Sequence, residues 1–130
     1  KPSQRAQISE TQPFVGYFQM TTPDSDRWTP TLLGLNANNC YIRVYEGDTQ
    51  NEVTDEIPLL ASDKWYRIEV HFQEGKMEVG DEVQLAISYT ALGVESREFL
   101  LINGTYQEYY WPYDGVSSQD ANYVIITTVN

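Results

Sequence analysis

Two stretches of strict two-residue alternation constrain this chain more than anything else in it. In KWYRIEVHF (64 to 72), Tyr66, Ile68, Val70 and Phe72 share one side of an extended backbone. Trp65, Arg67, Glu69 and His71 take the other. EVQLAISYT (82 to 90) repeats the pattern, with Val83, Leu85, Ile87 and Tyr89 on the apolar side. A period of two is the signature of a half-buried antiparallel strand, whereas a helix would need apolar residues three and four apart. The other apolar runs are short and bounded by turn formers. FVGYFQM (14 to 20), TLLGL (31 to 35), CYIRVYE (40 to 46), EFLLI (98 to 102), TYQEYYW (105 to 111) and NYVIITTV (122 to 129) all read as strands. TTPDSDRWTP (21 to 30), with two prolines and acidic turn formers, reads as a loop. About eight strands at regular spacing predict an all-β chain: a two-sheet antiparallel sandwich, with a small β-barrel as the alternative closure. The chain has 130 residues, enough for one self-sufficient core. Residues 1 to 12 are polar and aperiodic, so they read as a flexible leading segment or linker before a single domain over 13 to 130.

The charge excludes several partners. Eight Lys and Arg stand against nineteen Asp and Glu, for a formal net charge of -11. Nucleic acid and anionic lipid both need a basic surface, so neither is expected as a partner. No run approaches the ~18 apolar residues of a spanning helix, so no direct membrane insertion is expected. Cys40 is the single cysteine, which rules out an internal disulfide and a thiolate zinc cluster. It shares the inward parity of Ile42 and Val44, which predicts a buried, unreactive thiol. The chain begins at Lys1, as a processed or cut chain would.

The sequence carries no recognisable catalytic constellation. His71 is the sole histidine and sits among Arg67 and Glu69 on the polar side of its strand, where a solvent-facing charge ladder is expected. There is no GxSxG elbow, no GxxxxGK[ST] and no GxGxxG. Acidic loop residues (Asp24 and Asp26, Asp55 and Glu56, Asp81 and Glu82) offer oxygen ligands for calcium, but not at EF-hand spacing. The expectation is a non-enzyme with no cofactor, calcium being the one metal the acidic loops would suit and a transition-metal cluster being disfavoured by a single His and a single Cys.

The aromatic residues carry the functional expectation. INGTYQEYYWPYDG (102 to 115) concentrates them, and Asn103-Gly104 reads as a two-residue type I′ hairpin turn. That turn would set Ile102 opposite Thr105, Leu101 opposite Tyr106 and Phe99 opposite Glu108. Tyr109 and Trp111 are then expected in the core with Leu100 and Ile102, and Tyr106, Tyr110 and Tyr113 towards a surface. Tyr41, Arg43 and Tyr45 take the outward parity of CYIRVYE, and Trp65 that of the next strand. Tyr106, Tyr110, Tyr113, Trp65, Tyr41, Tyr45 and Arg43 therefore form the candidate contact set. Tyr and Trp interleaved with Arg suit a protein interface or a stacked sugar ring. Packing at a sheet rim would use the same residues.

The short Tyr- and Thr-rich strands, VGDEVQLAISY leading into EFLLINGTY, and the late ANYVIITTVN resemble immunoglobulin-like modules of bacterial cell-surface and secreted proteins of the Bacteroidota type. The Cys…Trp…Cys spacing of antibody domains is absent. The resemblance implies an immunoglobulin-like β-sandwich in an extracellular or cell-surface setting. It implies adhesion, assembly or presentation of neighbouring domains as the function, with other protein domains or surface glycan as partners. A carbohydrate-binding module of a glycan-processing system is the alternative. A small hydrolase comes third, with no constellation behind it.

Overall fold

The computed structural model describes residues 3–21, 27–57, 60–61, 64–89, 96–102, 106–112 and 122–129, with side chains over 6–18, 29–57, 60–61, 64–86 and 124–129. Among the described residues, ten strands form two five-stranded sheets. They are β1 (Ser3–Ile8), β2 (Phe14–Thr21), β3 (Arg27–Leu33), β4 (Cys40–Glu46), β5 (Leu60–Ala61), β6 (Tyr66–Phe72), β7 (Glu82–Tyr89), β8 (Ser96–Ile102), β9 (Tyr106–Pro112) and β10 (Asn122–Thr128). One sheet runs β1-β10-β7-β3-β5, the other β4-β6-β2-β8-β9. Among the described residues every strand pairing is antiparallel except that of β1 with β10, which is parallel. The sheets do not close into a barrel. No α-helix occurs among the described residues, and none of their helices is long and apolar enough to cross a membrane.

The alternation seen in the sequence builds the core between the sheets. Tyr66, Ile68 and Val70 of β6 are fully buried, as are Val44 of β4 and Phe14 of β2. They meet Leu85 of β7, Val124 and Ile126 of β10 and Leu60 of β5 in one cluster. Tyr66 also links the layers by a polar contact: its hydroxyl accepts from Ala61 N of β5 at 3.1 Å. Gly16 sits in the buried register row between Ile68 and Leu101. A Cβ there would lie 2.6 Å from the Phe18 ring and 3.1 Å from that of Phe14. The two rings fill the space that a side chain would need, which explains a glycine inside a strand.

Four differences from the sequence reading have physical causes. The leading segment contains a strand: Ala6 and Ile8, two apart, are buried against β10 in register Ala6 to Ile126 and Ile8 to Thr128. Only two apolar residues signal it, and its partner is far away in sequence. The expected loop over 21 to 30 ends sooner, since β3 starts at Arg27 and contains Pro30. Among the described residues Pro30 is paired on one side only, with Ile87 of β7, and a residue lacking an N–H is tolerated there. β5, two residues long, is too short to leave a pattern. Finally, Ile102 pairs with Tyr106, not Thr105, so Phe99 opposes Tyr109 and not Glu108. The register therefore leaves three residues between the paired ends. It continues the backbone row Tyr66–Phe18–Phe99–Tyr109, an unbroken aromatic row, where the two-residue turn would have inserted a glutamate. Residues 103–105 and Tyr113 lie outside the described residues.

Cys40 is 8% exposed, and burial pushes its thiol up to about 11. Its Sγ lies 3.5 Å from the Asn36 carbonyl oxygen. A thiol reagent at pH 8 should label native protein far more slowly than denatured protein. Cys40→Ser should cost only about 1 kcal/mol, because the Asn36 carbonyl can accept from the new hydroxyl. A loss well above that, read from the chemical denaturation midpoint, would show that the oxygen finds no partner.

Candidate functional site

The outer face of β4, β6 and β2 brings together four of the seven sequence candidates: Tyr41, Arg43, Tyr45 and Trp65. Its rows follow from the register. Tyr41 lies opposite His71, Arg43 opposite Glu69, and Tyr45 opposite Arg67, which in turn lies opposite Tyr17. Backbone register sets Tyr106 opposite Ile102 and Tyr110 opposite Glu98, on the rows that continue from Val15 and Gln19. The side chains of Tyr106 and Tyr110 lie outside the described residues.

Arg67 organises this face. The sequence reading put it in a solvent-facing ladder, but it is only 8% exposed. Its Cζ lies 4.3 Å from the Tyr45 ring centroid, a cation–π contact. Its Nη1 donates to the carbonyls of Thr49 (3.0 Å) and Gly47 (3.4 Å), and its Nε to Glu69 Oε2 (3.2 Å). The cover is local in origin. Gly47, at φ +51°, turns the chain out of β4 and over the sheet. The turn closes on itself, with Thr49 Oγ1 donating to Glu46 O at 2.6 Å and Glu46 N to Asn51 O at 3.0 Å. Gly47 N donates to Trp65 O at 3.0 Å, and the Tyr17 hydroxyl donates to Asp48. The turn thus spans β6 and reaches β2. The same excursion shields the free edge of β4, where Val53 N donates to Val44 O at 2.7 Å and Val44 N to Thr54 Oγ1 at 3.0 Å.

The other end of the face is open. Tyr41 is 41% exposed and stacks on His71, with centroids 5.0 Å apart and planes at 7°. His71 Nε2 bonds Glu69 Oε1 at 2.8 Å, so Glu69 joins the histidine to Arg67. The charge ladder expected on this side of β6 is therefore present, with His71 half-buried in it and not fully solvent-facing. Arg43 is exposed, and its Cζ lies 5.6 Å from the Tyr41 centroid. A groove of about 540 Å³ lies beside the stack, lined by Glu10, Thr11, Tyr41, His71, Gln73 and Glu74. Tyr45 and Trp65 are half-buried. Tyr45 belongs to the Arg67 anchor, and Tyr41 and Arg43 are left as the accessible pair.

Among the described residues, His71 makes one hydrogen bond, to Glu69, and one ring contact, to Tyr41. No group of three or more His, Cys, Asp or Glu among the described residues is arranged to hold a metal ion. Asp24 and Asp26 lie outside them. Sequence reasoning missed Tyr17, Asp48, Thr49 and Glu69. Its available signal was that Tyr17, Tyr45 and Arg67 share outward parity on three strands, which becomes informative only once those strands are adjacent. No protein-family model matches this chain, and neither a curated protein nor a solved structure matches it.

Two outcomes test the anchor. Arg67→Ala should cost about 3 kcal/mol, since it strands Glu69 and two carbonyls at a buried position. Arg67→Lys should not restore the loss, because an ammonium cannot reproduce the planar fork stacked on Tyr45. Amide exchange over 47–51 should rise in both variants, and unchanged protection would show that the turn is held otherwise. The second outcome is a pH dependence. Burial, and then the Asp48 carboxylate, raise the Tyr17 phenol above its ordinary 10.0. The neutral phenol is the favoured form in the fold. Its stabilisation is therefore complete below pH 10 and is lost as pH rises through the raised value. Denaturation midpoints should fall in that alkaline range. Tyr17→Phe should flatten the fall without abolishing it, since Cys40 titrates nearby at about 11.

Proposed function

We propose that this chain is a non-catalytic β-sandwich recognition module of a surface or secreted protein. On this reading it contacts a neighbouring protein domain through the open end of the β4–β6 face, for adhesion or assembly. The observation that carries this reading is the Tyr41–His71 stack. A 41% exposed ring is held flat, with an exposed guanidinium beside it, on a sheet stiffened by the Arg67 anchor. A pre-oriented aromatic loses little rotamer freedom on binding, and Tyr and Arg are both among the residues enriched in interface hot spots. The immunoglobulin-like character and the surface setting rest on the sequence resemblance alone.

A second reading, a carbohydrate-binding module, draws on the groove beside the stack. Glu10, Thr11, Gln73 and Glu74 place hydroxyl-binding groups next to an aromatic ring, which suits a pyranose. The two readings separate on one variant. Tyr41→Ala should change stability by less than about 1 kcal/mol, because the side chain is exposed and off the core. Binding of purified proteins encoded beside the gene should be lost in that variant, while a glycan array stays blank. An array signal that disappears with Tyr41→Ala would select the carbohydrate reading. Binding of either kind that survives the substitution would refute this face as the contact site.

A further inference from the structure

The strongest unexplained surface lies at one end of the other sheet. Five large hydrophobic side chains are markedly exposed among the described residues, and four of them gather there. Leu35 is fully exposed, Val79 is 70% exposed, Leu33 49% and Val129 41%. Three connections hold this end together. Leu33 is paired with Gln84 across β3 and β7. Asn36 Nδ2 donates to Glu82 O at 3.1 Å, tying the 34–36 turn to the start of β7. Gly80 N donates to Thr128 O at 2.8 Å, bringing the Val79 turn to the end of β10 beside Val129. A groove of about 310 Å³ runs through this end, with Leu33, Leu35, Asp81 and Glu82 in its wall.

Aliphatic residues clustered in this way mark a contact surface, since isolated exposed ones would be scattered. Charge decides the occupant. A second copy would bring another -11 and a second acidic wall against the first, which like-charge repulsion opposes. We infer that this end of the sandwich docks a partner segment presenting an aliphatic side chain next to Lys or Arg. The aliphatic group covers Leu33 and Leu35, and the cation faces Asp81 and Glu82. This surface belongs to the opposite sheet from the Tyr41 stack and does not depend on the function proposed for that face.

The test uses the whole chain and three labelled synthetic peptides: one alternating Leu with Lys, one with Ser replacing Leu, and one with Glu replacing Lys. The Leu–Lys peptide should bind, more weakly as salt is added, and the other two should not. Leu35→Ser should weaken that binding about tenfold or more, by the transfer free energy of one buried leucine. Its denaturation midpoint should match the parent's, because Leu35 touches no core. Asp81→Asn with Glu82→Gln should weaken binding and reduce its salt dependence. Absence of binding, equal binding by the Ser peptide, or binding indifferent to Leu35→Ser would each overturn the inference. Sedimentation showing self-association that Leu35→Ser abolishes would overturn it in favour of a second copy.

Discussion

A cation held out of water on the outside of a sheet is the contact on which the β4–β6–β2 face depends. Desolvating a guanidinium is costly, and the cost is offset only when its donors are met. Arg67 meets two backbone carbonyls, a carboxylate and an aromatic face. Three elements must converge for this: the turn after β4, the start of β6 and the Tyr17 position of β2. The anchor therefore fixes where the chain goes after β4. It also orders Glu69, which bonds His71, against which Tyr41 stacks. One buried charge at one end thus sets the orientation of an exposed ring at the other, through contacts each shorter than 6 Å.

The two layers differ in how their outer faces are managed. On the β4–β6–β2 face, polar and aromatic groups cover one another and leave a defined exposed pair. At the Leu33 and Val129 end of the second sheet, aliphatic side chains remain open beside carboxylates. The first arrangement preorganises a surface. The second leaves apolar area that costs free energy in water until something covers it. On the two proposals made above, the contacts would fall on opposite sheets, and neither would disturb the core.

The core was legible in the sequence because it is local. Tyr66, Ile68, Val70, Val83 and Leu85 announce themselves by alternation within single strands, and the structure buries each of them. Cys40 and Val44 follow the same rule. What could not be read was whatever needs the neighbour's identity. Ile8 finds β10 across more than a hundred residues, and no local pattern carries that pairing. Arg67 looked solvent-facing because parity tells which side a residue takes, and not what folds over that side. The hairpin after Ile102 was misregistered for the converse reason: a strong turn dipeptide was weighed, and the aromatic row through Phe18, two strands in, was not. At the candidate site, Tyr41 and Arg43 were named correctly as outward residues, while the distinction between them and the half-buried Tyr45 came only from the turn at Gly47.

The parallel pairing of β1 with β10 has a mechanical consequence. Both strands run in the same direction, with Ser3 beside Tyr123 and Ile8 beside Thr128. A pull on the chain before Ser3 and after Thr128 therefore acts along the two strands in opposite senses. The ladder is loaded in shear along its whole length of roughly 20 Å, so its hydrogen bonds share the force. An antiparallel terminal pair would have both ends on one side and would open bond by bond, like a zip. A tether strung between two neighbours is held best by the first geometry, and the strand that supplies it is signalled in the sequence by only two apolar residues.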